Sequence, residues 1–281
     1  MSAVEAVTAS AQLWGAADQA DALALPAAVQ AGDLATALLT IDGAPSAQRE
    51  HAMAQLDAWA ARVHAALDRG LTPGDALRQV LVEEVGLHGD AATYDSPANS
   101  RLSHVLERRC GQPILVTSVW IEAGRRAGVE IEGVGLPGHF IARVDGHLVD
   151  PFAGGRNLTE RGCKRIVHSI SGGALPWCPS YLEPACAGKI AERVLRNLMR
   201  SQQRHGDLAG LYRSARMASG LRPDDPEPAL VCAWVAAELG ALRHAGDLFE
   251  QLESRFPGTR EAEVARRRIG ELAVRVGAEV H

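Results

Sequence analysis

The sequence predicts an α+β chain, mostly helical, with a small antiparallel sheet near its middle. Apolar residues recur at three- and four-residue spacing up to about Val85, as in MAQLDAWAARVHAALDRG, which is the period of a packed helix. Between Val129 and Gly155 the pattern changes to alternation and to short apolar runs broken by Gly and Asp. From Gly188 helical spacing returns and repeats: Gly206 and Gly240, Leu208 and Leu242, Ala215 and Phe249, and Pro223 and Pro257 are each 34 positions apart.

With 281 residues, 47% hydrophobic and 22% charged, the chain has the material for a real core and reads as globular rather than disordered. A formal charge of -5 and a pI near 6.1 argue against nucleic acid or an anionic membrane as partner, since both need clustered Lys and Arg. The basic run ending at Arg268 reads as the solvated face of a helix. The N-terminal stretch lacks a basic start and an uninterrupted apolar run, so neither export nor membrane spanning is expected, and a cytoplasmic protein is. Five scattered cysteines, an odd number without a CxxC pair, point to reduced thiols with no metal or cofactor.

Taken in order, Ala3 to about Val85 should be a set of packed helices. Within it Thr72 is suited to cap a helix that Pro73 begins and that a glycine closes after ALRQVLVEEV. The turn-forming loop GDAATYDSPANS leads to RLSHVLERRCG and QPILVTSVWIEAGRRAG, both helical in pattern. VEIEGVG, from Val129 to Gly135, alternates as a strand does.

The next turn fixes a register. A two-residue Asp145-Gly146 connection favours a tight type I′ turn, so Val144 faces His147 and Ile141 faces Asp150. His139, two positions along from Ile141, then points to the same sheet face as Asp150. Diagonal neighbours of this kind lie roughly 7–8 Å apart, within reach of an imidazole–carboxylate hydrogen bond. The same register sends His147 to the other face, which counts against a metal site built from the three. Such a pair can serve catalysis, or it can satisfy a buried polar contact and hold two strands in register. Pro137-Gly138 and Gly154-Gly155 flank it with turn-forming backbone that suits a ligand entrance or plain turns.

The 34-residue period, with Leu239-Gly240, Phe249 and Pro257 in its second copy and Gly206, Tyr212, Ala215 and Pro223 in its first, resembles tetratricopeptide repeats. Two copies are fewer than a free-standing solenoid needs. The run NSRLSHVLERRCGQPILVTSVWIEAGRRAGVEIEGVGLPGHFIARVDGHLVDPFAGGRNLTERGC is similar to the transglutaminase-like, papain-like core of the bacterial SirB-type proteins. Those proteins join this core to an N-terminal helical region and C-terminal tetratricopeptide repeats. The resemblance therefore implies a helical region over 1–90, a transglutaminase-like core over 91–187 and repeat-like helices over 188–281.

In active members of that superfamily a Cys opens a helix, a His lies on one strand and an Asp on the next. A thiolate at a helix N-terminus is stabilised by unpaired amides, the His moves its proton and the Asp fixes the imidazole. His139 and Asp150 match the second and third roles. The resemblance lays the active Gly-Gln-Cys stretch on Gly111-Gln112-Pro113, so Pro113 stands in the nucleophile's place, and proline has no group that can attack a carbonyl. Cys110, three residues upstream, is the candidate substitute, set against an ordinary buried thiol. Thr117 and Ser118 carry hydroxyls one turn into the helix and are otherwise packed helix residues. Gln112 could donate to a ligand carbonyl or simply be exposed, and Pro113, Thr117 and Gly138 complete the expected ligand-binding set.

Three functions follow. The leading one is a module without a nucleophile that binds a protein or peptide through its cleft and repeats. The second is a thiol hydrolase or acyltransferase using Cys110, His139 and Asp150 on an amide or ester. The third is an adaptor whose repeats do the binding while the core supports them.

Overall fold

The computed structural model describes residues 15–278, so the helical reading of Ala3–Trp14 lies outside the described residues. The described chain forms two compact units, residues 28–194 and residues 15–27 together with 195–278. The chain is mostly helical with a small antiparallel sheet, as the periodicities require.

Helix α1 (Ala16–Gln30) is followed in the first unit by α2 (Leu34–Asp42), α3 (Ser46–Asp68) and α4 (Pro73–Leu77), which continues as a π-helix over Arg78–Glu84. The signals at these ends act as local chemistry predicts. Asp33 accepts the Thr36 amide at 3.0 Å, and Thr72 accepts the Asp75 amide at 3.3 Å beside Pro73. Gly86 closes the π-helical stretch with φ +79°.

A two-residue strand β1 (His88–Gly89) pairs in parallel with β2 (Cys110–Gly111), with His88 opposite Cys110. Between them lies α5 (Leu102–Arg108). Its first amides, Leu102 and Ser103, donate to the two carboxylate oxygens of Asp42 at 2.9 and 2.7 Å, so a buried acid at the end of α2 caps α5 from sixty residues away.

Helix α6 (Pro113–Arg126) is buried from Pro113 to Gly124, which is why its sequence is apolar nearly all round. One side faces α3 and another faces the sheet. The sheet has the order β6-β5-β4-β3-β7, all antiparallel: β3 (Ile131–Leu136), β4 (His139–Val144), β5 (His147–Asp150), β6 (Arg156–Leu158) and β7 (Pro184–Ala185).

Val144 stands opposite His147 and Ala142 opposite Val149, the register expected from the Asp145-Gly146 turn, whose residues have φ +46° and +77°. Gly133 lies under Phe140 and Ile121, which puts that face against α6. On the other face Val134, Leu136 and Ile141 form a buried cluster with Cys163 and Val167 of α7 (Glu160–Ser171). The sheet is thus a layer between α6 and α7.

Helix α8 (Ala187–His205) leads into the second unit, where α9 (Leu208–Leu221), α10 (Pro226–Glu238), α11 (Leu242–Arg255) and α12 (Arg260–Ala278) pack each on the next. The period is visible in space. Helices α9 and α11 begin 34 residues apart, each just after a left-handed glycine, Gly206 and Gly240, and α10 and α12 also begin 34 residues apart. Ala215 and Phe249, the paired positions of the sequence repeat, are both buried. Arg266, Arg267 and Arg268 are exposed on α12, as read from their sequence. Among the described residues no helix is long and apolar enough to cross a membrane.

Candidate functional site

His139 opens β4 and Asp150 closes β5, and the hairpin brings them together: His139 Nε2 lies 3.0 Å from Asp150 Oδ1, with both residues buried. With a carboxylate as its acceptor, Nε2 carries the proton of the neutral ring, and Nδ1 is left with a free lone pair for another group. The chain beyond Asp150 folds back on the carboxylate. The Ala153 amide donates to Oδ1 at 3.2 Å, and the Gly155 amide donates to the Asp150 carbonyl at 2.9 Å. Asp150 is also paired across the sheet with Arg156, whose Nη2 stands 3.9 Å from Oδ2.

The histidine segment is held from several sides. Arg193 donates to the His139 carbonyl at 2.9 Å and lies over the Phe140 ring at 5.5 Å. Phe152 meets the His139 ring edge-on at 5.8 Å, and it presses on Gly89 so closely that a Cβ there would stand 2.3 Å from the ring. Gly89 is therefore small because Phe152 occupies its side-chain space.

The remaining residues expected at the site are distributed differently. Pro113 is the first residue of α6 and is buried. Gln112 is neither exposed nor available: its side-chain oxygen accepts from Ser100 Oγ at 3.0 Å and its Nε2 donates to the Tyr94 carbonyl at 3.0 Å. Both ends of the amide are thus engaged within the fold. The Thr117 hydroxyl donates to the Phe140 carbonyl at 3.2 Å, and the Ser118 hydroxyl to the Ile114 carbonyl at 2.7 Å, the packed and back-bonded roles open to each. Cys110 is half-buried in β2. Gly138 turns the chain between β3 and β4 with φ +72°, and Ile170 of α7 covers the place where a side chain would grow.

His139 and Asp150 form part of the lining of a cleft of about 560 Å³ walled by residues 156–159 and by α7 through Arg165, Ile166, Ser169 and Ile170. His139 shares the sheet face of Ile141, which is the α7 side, whereas Thr117 reaches the strand from the α6 side. Cys110, Gln112, Pro113 and Thr117 are not among the cleft-lining residues. A sulfur does stand near the pair. Burial pushes the Cys163 thiol up, and the negative charge of Asp150 pushes it the same way, so this thiol is held protonated and is a poor nucleophile.

Sequence reasoning missed Arg156, Arg165 and the whole α7 wall. A signal was present: Gly154-Gly155 returns the chain beside β5, and that return places Arg156 opposite Asp150. Among the described residues no group of three or more His, Cys, Asp or Glu gathers as a metal cluster would.

Residues 50–196, just over half of the chain, match the family model of the transglutaminase-like superfamily. A UPF0162 protein of Xylella fastidiosa is 32% identical over 205 residues, which is 70% of this chain and 73% of that protein. A UPF0162 protein of Pseudomonas aeruginosa is 30% identical over 183 residues, covering 64% of this chain and 67% of the relative. F-box only protein 21 of Mus musculus is 26% identical over 144 residues, 47% of this chain but only 22% of that protein. No solved structure matches. The chain belongs to the transglutaminase-like superfamily and is similar to the bacterial UPF0162 proteins.

Proposed function

We propose that this protein is a SirB-type member of the superfamily that has lost the thiol nucleophile and acts as a cytoplasmic binding or regulatory module for another protein or peptide. The observation that carries this reading is the head of α6. It opens on Pro113, which has neither an N–H nor a reactive side chain, and the preceding Gln112 spends its amide on Ser100 and Tyr94. His139 and Asp150 remain as a hydrogen-bonded pair beside a cleft. We read α8 followed by α9, and α10 packed on α11, as two tetratricopeptide-like helix pairs, a reading supported by the 34-residue spacing of their glycines and helix starts. They offer a second surface for the same partner.

The test is labelling with a limiting thiol-directed probe at mildly acidic pH, followed by intact-mass measurement and peptide mapping. A module without a nucleophile gives no Cys110 labelling that depends on His139. Selective labelling of Cys110 that disappears in His139→Ala, or a covalent acyl-enzyme with any amide or ester, would establish the thiol-enzyme reading instead.

A further inference from the structure

The cleft beside His139 has a chemical character that its floor alone does not suggest. Its floor is the buried His139–Asp150 pair, and its rim carries two exposed guanidinium groups, Arg156 on β6 and Arg165 on α7. Arg165 makes no ion pair or hydrogen bond among the described residues, and Arg156 reaches Asp150 only at 3.9 Å. The nearest acid on α7, Glu160, is already engaged by Lys164 at 2.8 Å, so it does not cancel the rim charge. The same lining carries the aliphatic side chains of Leu158, Ile166 and Ile170 beside the polar Asn157, Thr159 and Ser169, and Ile170 is 52% exposed. An unpaired guanidinium on Arg165 and a loosely paired one on Arg156, together with the aliphatic lining, match an anion attached to an aliphatic body, because a guanidinium binds a carboxylate through parallel hydrogen bonds while the aliphatic surface gains by burial.

We propose that this cleft is a docking site for an acidic peptide segment, in which a carboxylate pairs with Arg156 and Arg165 and a neighbouring aliphatic side chain covers Ile166 and Ile170. The proposal rests on the reading of the core as a binding module and names what that module binds. Binding draws Arg156 away from Asp150 toward the ligand, while the His139–Asp150 hydrogen bond stays as the floor.

The test uses the full chain and the fluorescence anisotropy of a labelled peptide alternating leucine and glutamate, its leucine–glutamine counterpart, and inorganic phosphate as competitor. The glutamate peptide should bind at least tenfold more tightly than the glutamine peptide, and added salt should weaken it. Arg156→Gln combined with Arg165→Gln should weaken glutamate-peptide binding at least tenfold. Both arginines are exposed, so the double variant keeps the fold. Arg161→Gln, an exposed arginine of α7 outside the cleft lining, should leave binding unchanged. Equal affinity for the two peptides, full binding by the double variant, or displacement of the peptide by phosphate at comparable concentration would overturn the assignment. Mass measurement on the same mixtures separates the two readings: a peptide that adds covalently sinks the non-catalytic module, whereas unmodified protein with equal affinity for both peptides sinks the cleft assignment alone.

Discussion

Gly155 lies against the indole of Trp120 so closely that a Cβ on it would stand 2.7 Å from the ring. This contact ties the turn that folds back on Asp150 to the central helix α6, and it explains why position 155 is a glycine. Gly155→Ala would add a crowded methyl and force a residue with φ +75° to carry a side chain. Overpacking of this kind and the left-handed conformation together should cost about 2–4 kcal/mol in urea unfolding. Gly154→Ala meets only Val82 at 3.9 Å and should lose about 1–2 kcal/mol, the conformational part alone. Equal losses in the two variants would show that Trp120 does not restrain the turn.

The His139–Asp150 pair should behave as one unit. Asp150→Ala removes the acceptor of both the His139 ring and the Ala153 amide, leaving the buried imidazole donor unpaired at a cost of about 2–3 kcal/mol. His139→Ala removes a partner of the same bond. A double-mutant cycle should therefore show coupling of about 1 kcal/mol or more. Additive losses would mean that the hydrogen bond contributes nothing to the fold.

The thiols differ enough to be ranked. A hydrogen bond with Ser180 lowers the pKa of Cys178, whose sulfur is 2.8 Å from the serine oxygen, while burial pushes Cys232 up to about 12 and also raises Cys163. In a time course with iodoacetamide read by peptide mapping, Cys178 should label well before Cys163 and Cys232. Ser180→Ala should slow it. Indistinguishable rates for the three sites would contradict this ordering.

Much of the core is legible in the sequence alone. Asp145-Gly146 fixed the hairpin because only a tight turn with two positive φ values joins those strands, and the hairpin in turn brought His139 to Asp150. Thr72, Pro73 and Gly86 marked their helix because capping is local chemistry. The π-helical register over Arg78–Glu84 was not legible, since an apolar period does not distinguish one hydrogen-bond offset from the next. The cleft was missed for a different reason. Arg156 and Arg165 come from a three-residue strand and the exposed face of a helix, and only their tertiary placement puts both beside His139. Gln112 likewise looks solvent-facing in one dimension, and its burial depends on Ser100 and Tyr94 closing over it.

Asp42 makes stability depend on pH with a sign opposite to that of most carboxylates. Burial pushes its carboxyl up from the ordinary 3.8 to about 6, although the amides of Ser103 and Leu102 and the charge of Arg101 pull the other way. Between those values the folded chain binds more protons at this site than the unfolded chain does, so this group's contribution falls as pH rises from about 4 to 6 and is lost above the folded value. The shift corresponds to a loss on the order of 2–3 kcal/mol. Asp42→Asn removes the titration while its amide oxygen can still accept one of the two α5 amides. The stability of the native chain relative to this variant, from urea unfolding at intervals between about pH 4 and pH 7, should therefore decline steadily with pH. A difference that stayed flat, or grew, would show that the carboxyl is ionised in the folded protein across the whole range and that the cap is held by charge instead.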